Sequence, residues 1–80
     1  MSWVFTPDAL HQMSRRNIDQ KIVRTILRNP EQKYREHPYD IYQSVIHMSG
    51  RDYLVRVFVT SSSNPGGVVH TVYRTSNIDR

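Results

Sequence analysis

Eighty residues, 38% hydrophobic and 22% charged, describe one small globular domain over 1–80 with room for a single core. There is no cysteine, so neither disulfides nor thiolate-bound zinc can staple the fold, and the apolar pattern or a partner chain must hold it. Eleven Lys plus Arg against seven Asp plus Glu give a formal net charge of +4 and a pI near 9.9, a balance that favours polyanions such as RNA or an acidic protein.

The opening "MSWVFTPDAL" has neither a basic n-region nor an apolar h-region. No stretch approaches the roughly 18 apolar residues of a membrane span, so the expected setting is the cytoplasm, away from membranes. "SWVF" is a short apolar, β-prone run. Thr6-Pro7 then supplies an N-cap oxygen and a ring whose missing N–H costs nothing at the first helical position, which predicts a helix. Ala9, Leu10 and Met13 form its inward stripe and turn Asp8, His11, Gln12 and Arg15 outward. Asn17 ends it, because asparagine tolerates the left-handed conformation of a C′ residue. Asp19 caps a second helix with an apolar face of Ile22, Val23, Ile26 and Leu27, stopped by Asn29-Pro30. Lys21, Arg24 and Arg28 share one side of it, a stripe that reads first as a solvated face and second as an RNA or partner contact.

Beyond Pro30 the period becomes two, weakly in "EQKYREH" and plainly in "DIYQSVIHM", "YLVRVFVT" and "VVHTVYRT", which predicts four strands. A type II′ turn centred on Gly50-Arg51 would set Met48 opposite Tyr53, Ile46 opposite Val55, Ser44 opposite Val57 and Tyr42 opposite Val59, a face suited to the helices. Ile41, Gln43, Val45 and His47 then share the other face with Leu54, Arg56, Phe58 and Thr60. For the last strand, period two leaves two inward sets open: Val69, Thr71, Tyr73 and Thr75, or Val68, His70, Val72 and Arg74. "SSSNPGG" reads as an exposed, mobile connection. The expected fold is α+β, an N-terminal helical hairpin packed on one face of a four-stranded antiparallel twisted sheet. Its second face must meet solvent, a ligand or another protein.

There is no phosphate-binding glycine loop, no His-Glu-x-x-His, no G-x-S-x-G and no cysteine nucleophile. His11, His37, His47 and His70 are scattered, so no metal site is expected, and a chain of this length offers little cradle for a cofactor. What is left is acid–base chemistry on a polyanion, or binding alone. RNA cleavage through the 2′-hydroxyl needs a proton acceptor, cations for the crowded phosphate oxygens and a donor for the departing 5′-oxygen. Arg16, Arg56 and Arg74 can neutralise phosphate, His11 or His47 can exchange protons, and Tyr73 can stack on a base or donate a proton. Plainer roles compete: His11 as a solvated residue, Arg16 as a complement to the helix dipole, Tyr73 as core filling. Arg56 is hardest to explain away, since it stands mid-strand between Val55 and Val57.

The order "FTPDALHQMSRRNID", "VRTILRNPEQ", "DYLVRVFV" and "VVHTVYRTS" resembles a family of small uncharacterised bacterial proteins that open S/T-x-H-A-L-x-R-M-x-x-R-G-I and close on "TVYxT". That family is similar to the RelE- and BrnT-like toxins of the barnase–colicin group of ribonucleases. The resemblance implies metal-independent RNA cleavage on the exposed sheet face by a toxin, acting on free or ribosome-associated RNA, with an antitoxin protein as partner. Asp8 stands where the pattern has histidine and Gln12 where it has arginine, while His11, one turn after Asp8, can substitute for the imidazole. An inactive relative that binds RNA or protein is the alternative, and the oligomeric state is open.

Overall fold

The computed structural model describes residues 3–61 and 67–76. In chain order these form β1 (Trp3–Phe5), α1 (Pro7–Arg15), α2 (Gln20–Arg28), β2 (Gln32–Glu36), β3 (Tyr39–Met48), β4 (Arg51–Thr60) and β5 (Gly67–Thr75). One sheet contains every strand, in the order β1-β5-β4-β3-β2. Of the expected exposed connection over 61–67, residues 62–66 lie outside the described residues, Ser61 is exposed, and Gly67 is instead the buried first residue of β5.

The helix boundaries follow the capping chemistry. Thr6 Oγ1 accepts from the Ala9 amide at 3.1 Å, and Asp19 Oδ1 accepts from the Lys21 amide at 2.8 Å. Asn17 takes φ 58°, and the Ile18 amide donates to the Met13 carbonyl at 2.8 Å while the Asn17 amide donates to Ser14 at 3.3 Å. That pair of bonds is the Schellman closure, and it carries Ile18 into the core beside Met13. Ala9 and Met13 are buried as their spacing implies, but Leu10 is 40% exposed, so the inward stripe of α1 is narrower than its sequence suggests. Gln12, expected to face outward, is half-buried, and its Oε1 accepts from the Val72 amide at 3.1 Å.

Two corrections concern the sheet. The expected four-stranded antiparallel sheet behind a helical hairpin is instead a five-stranded mixed sheet, and the helices follow its first strand rather than open the chain. "SWVF" is the missing strand: Trp3, Val4 and Phe5 pair in parallel with Gly67, Val68 and Val69, and the Thr6 amide extends the ladder to the Val69 carbonyl at 3.0 Å. This strand supplies partners to an edge of β5 that would otherwise present unpaired backbone groups. The hairpin also turns one residue earlier. Ser49 and Gly50 both have positive φ, 52° and 78°, as a two-residue type I′ turn requires, so Met48 pairs with Arg51, Ile46 with Tyr53 and Ser44 with Val55. The partners shift by two positions, which leaves each side chain on its expected face.

Tyr42, Val55, Val57, Val59, Val69 and Val72 meet Ala9, Met13, Val23, Ile26 and Leu27 in the core, with Trp3 and Phe5 packed against them. Val69 and Val72 are three apart because β5 bulges. Phe58 pairs with Thr71 and Val59 with Val69, which leaves His70 as the extra residue. Neither inward set read from strict alternation is therefore correct along the whole strand. Gly67 begins β5 at φ 134°, where a Cβ would lie 2.8 Å from the Thr60 carbonyl oxygen and 3.3 Å from Trp3 Cζ3. No helix among the described residues is long and apolar enough to cross a membrane.

Candidate functional site

The sheet face away from the helices carries a row of polar side chains at one register level. Gln32 pairs with Gln43, Gln43 with Arg56 and Arg56 with Tyr73, across β2, β3, β4 and β5. Their side chains are joined in that order. Gln43 Nε2 donates to Gln32 Oε1, Arg56 Nε donates to Gln43 Oε1 at 2.8 Å, and Arg56 Nη1 donates to Tyr73 Oη at 2.7 Å. The row crosses apolar ground: Ile41 and Leu54 are 0% and 1% exposed on this helix-free face, and Gln43 is itself buried. A guanidinium has five N–H donors, and these bonds use two of them while fixing the plane of the fork.

Burial pulls the Arg56 pKa down, but the hydrogen bond to Tyr73 outweighs it and holds the group above its ordinary value, with further support from Tyr73, Tyr34 and Glu36. Arg56 is thus held as a cation, with its charge favoured by the bond to Tyr73.

An aromatic run adjoins it. Phe58 lies 5.8 Å from Tyr73 between ring centroids, tilted 31°, and Tyr39 meets Phe58 edge-on at 5.6 Å. Tyr39 also meets the His70 ring at 6.0 Å, and His70 Nε2 lies 2.6 Å from Thr60 Oγ1. The β-bulge brings His70 to this cluster.

Of the six side chains read from the sequence as site candidates, Arg56 and Tyr73 come together. His47 is exposed at the hairpin end, its Nδ1 2.9 Å from Asp52 Oδ1, four residues and about 13 Å along β3 from Gln43. Arg74 belongs to the helix-side face, its guanidinium 4.3 Å from the centroid of Tyr53. His11 is exposed on α1 and Arg16 caps that helix, so the sheet stands between them and Arg56. Gln43, Tyr39, Phe58 and His70 were not singled out. Gln43 had a visible signal, a polar residue in mid-strand beside apolar neighbours, whereas the bulge that exposes His70 leaves no mark on the alternation.

A small α+β domain whose mixed sheet carries a fixed cation and an aromatic run on its helix-free face is the class these observations define. The chain belongs to the family described as a domain of unknown function, DUF4258, whose model matches residues 5–74. Comparison with curated proteins and with solved structures finds no match in either.

Proposed function

We propose that the helix-free face engages RNA and cleaves it without a metal, as the toxin of a toxin–antitoxin pair. The observation that carries this reading is Arg56, mid-sheet, bonded on one side to Gln43 and on the other to Tyr73. A planar fork held in place suits a phosphate, and Tyr73, Phe58 and Tyr39 suit bases splayed along a single strand. In the reaction, the 2′-hydroxyl loses its proton and attacks phosphorus. The P–O5′ bond breaks, the 5′-oxygen takes up a proton, and a 2′,3′-cyclic phosphate is left. Arg56 neutralises the phosphate oxygens, Tyr73 Oη donates toward the 5′-oxygen, and His70, joined to the run through Tyr39, is the proton acceptor in place of His11 or His47.

The second reading, an RNA- or protein-binding module without catalysis, is favoured by the dispersal of His11, Arg16, His47 and Arg74 away from Arg56. Gln12 has a structural duty in fastening α1 to β5. Purified protein incubated with a 5′-labelled single-stranded RNA in EDTA separates the readings. Products ending in 2′,3′-cyclic phosphate, lost in Tyr73→Phe and Arg56→Ala with folding retained, support the toxin. Binding weakened by Arg56→Ala with the RNA left intact supports the module, and absence of both rejects the assignment.

A further inference from the structure

The helix layer does not cover its sheet. Each helix has nine residues, about 13 Å, against strands of ten residues, about 33 Å, in a sheet roughly 19 Å wide. Every residue of β2 is exposed, and beside α2 lies a groove of about 410 Å³ lined by Trp3, Arg24, Leu27 and Arg28. Trp3 meets Tyr42 edge-on at 5.8 Å, and Lys33 Nζ lies 4.8 Å from the Tyr42 ring centroid. The groove therefore has an apolar floor of Trp3 and Leu27 and a cationic rim of Arg24 and Arg28, and Lys33 stands beyond it on Tyr42, the ring that Trp3 meets. The ion pairs Arg35–Asp40 and His47–Asp52 lie elsewhere on the sheet and involve none of these three cations.

We propose that this groove receives an acidic amphipathic helix of a partner protein, which takes the place of a third helix in the layer. The inference does not rest on the RNA reading, because the groove and the Arg56 row lie on opposite faces of the sheet. Charge complementarity selects the occupant: glutamates or aspartates meet Arg24, Arg28 and Lys33 while an apolar stripe meets Trp3 and Leu27. A nucleic acid fits less well, since base stacking needs an open ring face. Arg24 already sits 4.9 Å from the Phe5 centroid, Lys33 is over Tyr42, and Trp3 lies against Gly67. A second copy is disfavoured by the net charge of +4.

The test is selection of binders to the full chain from an unbiased display library of 16-residue peptides, followed by titration of the selected peptides into isotope-labelled protein. Acidic, helix-forming peptides are expected, with NMR shifts at the Trp3 indole N–H and in Arg24, Arg28 and Lys33. Binding should fall at least tenfold in the variant R24E/R28E, and peptides with their acidic residues changed to lysine should recover affinity for that variant. Recovery on charge exchange distinguishes lost contacts from lost folding, and Lys33→Glu provides a second reversal away from α2. Failure of any peptide to bind, selection of neutral or basic binders, or shifts confined to the Arg56 face would overturn the proposal. So would a single-stranded RNA that binds in this groove.

Discussion

Arg56 shows how a charge comes to sit in the middle of a sheet. Its Nε and Nη1 are satisfied by Gln43 and Tyr73, so the cost of withdrawing the guanidinium from water is offset in place. Gln43 is the partner with the larger structural duty because it is buried and bridges to Gln32. Replacement by leucine leaves the Arg56 Nε–H without its acceptor while exposed Gln32 turns to water, and Gln43→Leu should destabilise the fold by about 1–3 kcal/mol in urea unfolding. Tyr73→Phe leaves Nη1 free to find water at a half-buried position, and the expected loss is smaller, about 1 kcal/mol. A reversed order of these two effects would mean that Tyr73, not Gln43, is the anchor. Arg56 was legible in the sequence as a charge between two valines. Gln43 stood on the correct face and was visible as a polar residue in mid-strand, but its partners lie on the neighbouring strands β2 and β4 and leave no mark near it in the sequence.

At the scale of elements, backbone positions with positive φ set the architecture. Asn17 closes α1 at φ 58°, so Asn17→Gly should hold or raise stability while Asn17→Val should cost about 1–2 kcal/mol, both measured by thermal unfolding. Gly67 combines φ 134° with a backbone oxygen where a Cβ would stand, and Gly67→Ala should cost more than about 2 kcal/mol by displacing β5 from β4 and Trp3. Retention of full stability in Gly67→Ala would show that β5 does not approach the Thr60 carbonyl this closely at Gly67. Caps and period-two runs exposed both helices and four strands to a reading of the sequence, since each depends on near neighbours. Strand β1 was visible only as an apolar run, for three residues are too few to show a period and their parallel partner lies more than sixty positions away. The hairpin register turned on whether Gly50 is the first or second central residue of its turn, and "SGRD" permits both.

Across the whole molecule the sheet separates two surfaces with different chemistry. One holds the Arg56 guanidinium in an aromatic setting, and the other holds Arg24 and Arg28 around an apolar groove with Lys33 on the neighbouring Tyr42. RNA affinity should fall with salt, and Arg56→Ala should reduce the slope of log K against log salt by about 0.7, the value for one phosphate on a single strand. Binding through diffuse positive charge alone would leave that slope nearly unchanged. The most direct measurement is titration of a short single-stranded RNA into isotope-labelled protein, following the Arg56 Nε–H and the backbone amides. Shifts concentrated at Gln43, Arg56, Phe58 and Tyr73 and abolished in Arg56→Ala are expected if the helix-free face binds RNA; no shifts, or shifts confined to the helix side of the sheet, would contradict that role.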